Sequence, residues 1–145
     1  MTKAEREFFP VSAVDWTPAL GGTVPGLLER ILAEQSPGVA TRILRFDPGT
    51  DTSAAGVQRH DFWEEVYILE GSLHDLTLNE IFPRGTYACR PPGMPHGPWV
   101  APEGCLTFEV RYSGDGPAAQ PDLEGDRRAG DVGVIGEQER FAQNE

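Results

Sequence analysis

The chain has 145 residues, 39% of them hydrophobic, which is enough for one core and not for two. Its 12 basic against 23 acidic side chains leave a net charge of −11, a balance that repels a phosphate backbone and excludes nucleic acid as an expected partner. The longest apolar stretches are only a few residues and the opening MTKAEREFF is charged, so neither a membrane span nor a secretion signal is expected, and the chain reads as soluble and cytoplasmic. Cys89 and Cys105 are too few for a disulfide framework, and no CxxC pair suggests a zinc site; both are read as buried thiols packed as small hydrophobes.

Seventeen Gly and thirteen Pro imply many tight turns between short strands, hence an all-β class. Residues 1–25, with Trp16, Pro18 and the Gly21-Gly22 pair, form an irregular arm expected to wrap a surface or an edge strand. The run GLLERILAE (26–34) has some helix propensity but is short and bracketed by Pro25 and by Ser36-Pro37-Gly38, so it is assigned as a strand. Val39–Phe46 is a strand stopped by Asp47-Pro48-Gly49. Glu64–Leu69 is the clearest strand, with Glu64, Val66 and Ile68 on one face and Glu65, Tyr67 and Leu69 on the other; a turn is expected at Gly71. Leu73–Leu78, Gly85–Arg90 and Cys105–Tyr112 supply further strands. Beyond them, residues 113–145 are a polar extension, expected to lie against the barrel or a neighbouring subunit through Val132, Val134, Ile135 and Phe141. The expected organisation is one domain over 1–145, with its barrel core at about 26–112.

Two segments carry the chemistry: GVQRHDFWEEVYILEG (56–71) and GTYACRPPGMPHGPWV (85–100). They resemble the two signature motifs of the cupin superfamily. In the first motif, Gln58, His60, Glu64 and Gly71 stand where the family has its two histidines, glutamate and glycine; in the second, Gly85, Pro91, Gly93 and His96 match, with Val100 in place of the usual Asn. The resemblance covers about residues 39–112, and it is similar in detail to the barrel of ChrR-type anti-sigma factors and to the acetylacetone-cleaving dioxygenases grouped with it. It implies a single-domain cupin fold, a double-stranded β-helix or jelly-roll barrel, with a divalent metal ion inside.

The residues support that implication on physical grounds. A metal needs lone pairs that meet at one point about 2.0–2.2 Å away, so its ligands must come from neighbouring strands facing one interior. Gln58, His60 and Glu64 can face inward together, and His96 arrives from a second hairpin stiffened by Pro91, Pro92, Gly93 and Pro95. Imidazole and carboxylate donors suit Fe, Mn, Ni, Zn or Cu without choosing among them. Gln58 replaces a histidine, so either it is a weak ligand, or it sits behind the ligands and water completes an open site; an empty barrel that binds a small molecule is the third alternative.

Other positions are weighed beside these. His74 has no partner at motif spacing and is read as an ordinary satisfied side chain. Phe62, Trp63, Met94 and Trp99 are packing residues or, as candidate substrate-binding residues, the wall of a pocket for an apolar or aromatic ligand. Arg45, Glu109 and Arg111 lie within strands, on an exposed face by preference, or as an inward polar pair.

Two functions follow. One is a metal-dependent enzyme on a small organic substrate, by resemblance a dioxygenase of the diketone- or flavonol-cleaving kind, with Glu64 as ligand or as catalytic base. The other is a non-catalytic binding or regulatory barrel of the ChrR kind, disfavoured because only about 38 residues, without His or Cys, precede Val39. Edge strands in need of cover make a homodimer the expected assembly.

Overall fold

Short apolar runs interrupted by Gly and Pro give nine strands in the computed structural model, which describes residues 3–114; the four expected anchors of the C-terminal extension, Val132, Val134, Ile135 and Phe141, lie outside them. The strands are β1 (Thr17–Pro18), β2 (Leu27–Ser36), β3 (Val39–Phe46), β4 (Thr50–Asp51), β5 (Trp63–Asp75), β6 (Glu80–Pro83), β7 (Tyr87–Arg90), β8 (Trp99–Ala101) and β9 (Cys105–Tyr112). All pair antiparallel, in the order β1-β2-β3-β9-β5-β8-β4, with β6 and β7 also on β5. The four short strands β1, β4, β6 and β8 were not foreseen, because two to four residues carry too little alternation to read.

β5 is the spine of this curled sheet. Its first part pairs with β9 and β7, and beyond Gly71 it pairs with β6 and β8. The turn expected at Gly71 is therefore a bend within one continuous strand. A bulge between Ile68 and Glu70 supplies the bend, and its extra residue moves the buried face from Glu64, Val66 and Ile68 to Leu73 and Asp75. Gly71 itself has φ 72°, and a Cβ there would lie 2.1 Å from the Gly104 carbonyl oxygen. The strand expected over Leu73–Leu78 ends at Asp75, whose Oδ1 accepts the backbone N–H groups of Thr77 and Leu78, both at 2.9 Å, and turns the chain.

The inward residues divide the barrel lengthwise. At one end the rungs are apolar or small, with Phe46 opposite Cys105 and Ile68 opposite Thr107. Here Ala19, Val24, Leu27, Leu44, Phe46, Ile68, Leu73, Ala101 and Cys105 form the core. Ala19 and Val24 come from the opening arm, which reaches an edge as expected by pairing β1 with β2, and also plugs the barrel end. Outside, Trp16 is held between the guanidinium groups of Arg30 and Arg45, 4.2 and 4.4 Å from its ring. At the other end the inward rungs are charged.

Gly71→Ala should destabilise the protein by about 2 kcal/mol or more, since the clash is with backbone and cannot be relieved by a rotamer. Gly49→Ala, at φ 84° with open space around it, isolates the conformational part alone and should cost about 1 kcal/mol. Urea midpoints of the two variants check the difference; equal losses would show that the bend tolerates a side chain.

Candidate metal centre

The charged end is built on Glu64. Register places it directly opposite Arg90 of β7 on one side and Arg111 of β9 on the other. Glu64 is 3% exposed; its Oε1 accepts from Arg90 at 3.1 Å, and its Oε2 lies 3.4 Å from Arg111 Nε. The next rung repeats the theme: Arg42 of β3 stands opposite Glu109 of β9, donates to it at 2.7 Å, and donates at 2.5 Å to Glu29 of β2. Arg45 does face outward as preferred, whereas Glu109 and Arg111 face inward. That corrects the exposed reading of those two. Each carries an opposite charge across the ladder, which is the condition under which a sheet can bury a charge.

Two imidazoles complete the cluster. A backbone bridge between Gln58 and His96, with N–H···O distances of 2.8 and 3.0 Å, draws the two motif segments together. His60 Nδ1 lies 3.0 Å from the Phe62 carbonyl, and His96 Nδ1 lies 2.9 Å from the Met94 carbonyl. A carbonyl only accepts, so both Nδ1 atoms carry a proton, and Nε2 is the atom through which each ring, when neutral, offers its lone pair. His60 Nε2 then faces Glu64 Oε2 at 2.7 Å. Two acceptors in contact need a cation between them, either a proton or a metal ion.

The donor set fits a metal on that ground. Ligand atoms of His60, Glu64 and His96 all lie within 4.8 Å of one another. Ligands about 2.0–2.2 Å from one tetrahedral ion lie roughly 3.4 Å apart, so side-chain movements of about an ångström, opening the 2.7 Å His60–Glu64 pair and closing His96 on it, would seat an ion. Gln58 borders the same cavity, but its amide nitrogen is committed to the Ala55 carbonyl at 2.7 Å, which leaves the amide oxygen as the atom it can offer. The cavity, about 60 Å³, is lined by these four residues with Arg90, Arg111 and apolar side chains such as Leu27, Leu44 and Phe46. A larger groove of about 240 Å³ at Asp47, Glu70 and Glu103 contains carboxylates but no imidazole, and is not the site.

The aromatic candidates separate. Trp99 lines the cavity and tilts against His96, and Phe62 stacks on His60 with ring centroids 3.9 Å apart. Trp63 pairs across the ladder with Tyr112 and stacks on it, on the face opposite Glu64 and Arg111, so it does not wall the cavity. Met94 does not line it either; its backbone carbonyl orients His96. His74 contacts Asn79 at 3.1 Å, away from the cluster. Cys105 is buried, with its thiol pushed up to about 12 by burial and then Glu109, while Cys89, expected to be buried, is exposed on the strand face shared with Glu65. Arg90 is the functional candidate that the sequence leaves unmarked, and for Arg111 the inward alternative stands second to an exposed one. The signal was present for Arg111, which shares the inward parity of Cys105, Thr107 and Glu109, and absent for Arg90, whose short edge strand has no clear alternation.

Burial opposes the charge on Glu64, but its contact with His60, and then Arg111 and Arg90, bring its pKa down from 4.5 to about 2. So stabilised, it takes up a proton poorly near neutrality. Burial, the main cause, holds His96 below its ordinary value and so keeps its lone pair available. A carboxyl with a depressed folded-state pKa stabilises the protein fully above its unfolded value and loses that effect as pH falls through the folded one. In chelator-treated protein, the stability lost in Glu64→Gln should therefore be complete above pH 4.5 and shrink as pH falls towards about 2. Urea midpoints across that range check it; a gap independent of pH would mean that the charge of Glu64 contributes nothing.

Comparison with known proteins places this geometry in context. The ChrR cupin-like domain family matches residues 4–113. No curated protein matches the chain. Similar solved structures include an RmlC-like cupin from Shewanella frigidimarina, 22% identical with a TM-score of 0.58 over 83% of this chain and 97% of that one. The polyketide cyclase RemF from Streptomyces resistomycificus is 18% identical, with a TM-score of 0.59 over 83% and 90% of the two chains. An acetylacetone dioxygenase from Acinetobacter johnsonii is 16% identical, with a TM-score of 0.59 over 79% and 78%. Among the described residues no helix is long and apolar enough to cross a membrane. At these identities the structural likeness establishes the fold alone, and the family match settles the rest: the chain belongs to the ChrR cupin-like family, as an all-β jelly-roll barrel of the cupin superfamily.

Proposed function

We propose that this barrel is a metal-dependent enzyme acting on a small organic molecule, with His60, Glu64 and His96 holding one divalent ion. The observation that carries the reading is the convergence of two imidazole lone pairs and one carboxylate oxygen within 4.8 Å, inside a cavity, with both rings already oriented by backbone carbonyls. The dioxygenase class, cleaving a diketone or related enolisable compound, is supported by the likeness in fold to an acetylacetone dioxygenase. An ion of the Fe, Mn, Ni, Zn or Cu group would supply a Lewis acid that lowers the pKa of such a substrate.

The chain's own residues then have separable tasks. Glu64 is a ligand rather than the base, since the two arginines stabilise its ionised form. His60 and His96 present Nε2, and Gln58 borders the same cavity with an amide oxygen that is a weaker donor than imidazole. A specific observation favours a second reading, a non-catalytic small-molecule-binding or regulatory barrel: Arg90 and Arg111 already neutralise Glu64 without any metal. We also keep the homodimer as part of this proposal. Tyr67, Tyr87 and Phe108 stand on one rung across β7, β5 and β9 and are 45%, 59% and 37% exposed, an outward aromatic strip that a second copy would cover.

Untagged protein purified without chelator should contain about one metal ion per chain, lost in His96→Ala and weakened roughly 10–100-fold in affinity in Gln58→Ala, as read by elemental analysis and metal titration. A wild type that stays empty after reconstitution with all five metals removes the metalloenzyme reading. A loaded protein that consumes no O₂ with any diketone moves the function to the binding barrel. Light scattering should give twice the mass of the chain, and a monomer would end the dimer proposal.

A further inference from the structure

Glu64 is flanked by two arginines whose donors are only partly used, and both line the cavity. Among the described residues around the cluster, Arg42, Arg90 and Arg111 face Glu29, Glu64 and Glu109 as ion-pair partners, three charges against three. Arg42 donates to both Glu29 and Glu109. Arg90 makes one hydrogen bond to Glu64, and Arg111 donates through Nη1 to the Gly38 carbonyl at 3.5 Å, while its Nε is buried with no hydrogen-bond acceptor, 3.4 Å from Glu64 Oε2, and its Nη2 is 4.0 Å from Glu109.

Both guanidinium groups are held on aromatic faces. Arg111 lies 5.0 Å above the ring of Phe62, which stacks on His60; Arg90 lies 5.2 Å above Trp99, which tilts against His96. The aromatic side chains nearest the cluster are thus taken up by arginine and histidine, not left open as a wall for an apolar ligand. A divalent ion on His60, Glu64 and His96 would bring two positive charges into this poorly solvated interior while releasing at most the one proton between His60 and Glu64, a net gain of at least one, and would draw on the Glu64 carboxylate that now compensates the arginines. Only an incoming anion restores the balance. The cavity, about 60 Å³, is small, and both guanidinium groups are part of its lining.

We propose that the ligand of the loaded site is a small oxo- or enol-carboxylate, whose carboxylate docks on Arg90 and Arg111 while its neighbouring oxygen faces the ion. This rests on the metal reading above and narrows it from diketones in general to anionic ones. Planar guanidinium forks suit a carboxylate bidentately, and a neutral amide of the same shape leaves them unpaired.

The test uses the full chain, stripped with chelator and reloaded with Co(II), whose visible absorption reports the metal independently of any activity. Pyruvate is the probe and pyruvamide its uncharged match in shape. Pyruvate should change the cobalt spectrum saturably and release heat in calorimetry, with pyruvamide at least about tenfold weaker. Arg90→Gln and Arg111→Gln should each retain cobalt and lose about tenfold or more in pyruvate affinity, while Arg45→Gln on the outer face changes nothing. Should either Gln variant take up no cobalt, the corresponding Lys variant, which keeps a charge beside Glu64 but loses the fork, is read in its place for the same weakening. Cobalt uptake with equal binding of pyruvate and pyruvamide, or with pyruvate affinity unchanged in the arginine variants, overturns this inference and leaves the metal reading standing. A wild type that takes up no cobalt overturns both.

Discussion

A carboxylate buried in the middle of a sheet is the constraint around which this barrel is arranged. Glu64 is almost wholly removed from water, and an isolated charge there would cost several kcal/mol. It is tolerated because each neighbouring strand presents an arginine at the matching rung, Arg90 on one side and Arg111 on the other. Removing one partner from such a buried arrangement typically costs about 3–5 kcal/mol, more than most single contacts contribute. The rung also specifies register. A slip of one residue between β5 and β9 would bring Glu64 opposite Tyr112 or Val110 and turn the inward faces outward, so the charges discriminate against misalignment at the end of the barrel where apolar packing is thinnest.

Stability and chemistry are therefore housed at opposite ends of the same strands. β3, β5 and β9 each run from an apolar half, with Phe46, Ile68 and Cys105, to a charged half, with Arg42, Glu64 and Arg111. The apolar half needs no partner beyond close packing, and the opening arm closes it with Ala19 and Val24. The charged half is held by directional bonds whose donors and acceptors nearly balance, with Arg111 Nε as an exception. An incomplete balance in a cavity beside two lone-pair-bearing imidazoles is the state from which ion and anion binding gain most, because the desolvation has already occurred on folding.

Much of this was legible from the residues alone. β3 and β9 fall where alternation and turn chemistry put them, and the cluster of His60, Glu64 and His96 follows from motif spacing. Where the reading departed from the structure, the cause lay in contacts between strands distant in sequence. Glu109 and Arg111 look like solvent-facing charges until Arg42, 67 residues before Glu109, and Glu64 are seen opposite them. Trp63 looks like a pocket residue by proximity to Glu64, yet adjacent residues on a strand face opposite ways. Gly71 looks like a turn until the bulge and the approach of Gly104 show a bend in an unbroken strand.

By itself, the sequence determined the class, the main strands and the identity of the candidate ligands, because these depend on local periodicity, turn residues and spacing along the chain. Only the tertiary structure decided which charges are buried, which nitrogen of each histidine carries its lone pair, and that two arginines share the site. Those properties belong to pairs of residues brought together by register, and a carbonyl that fixes a tautomer or a guanidinium that fixes a charge cannot be assigned until its partner is in place.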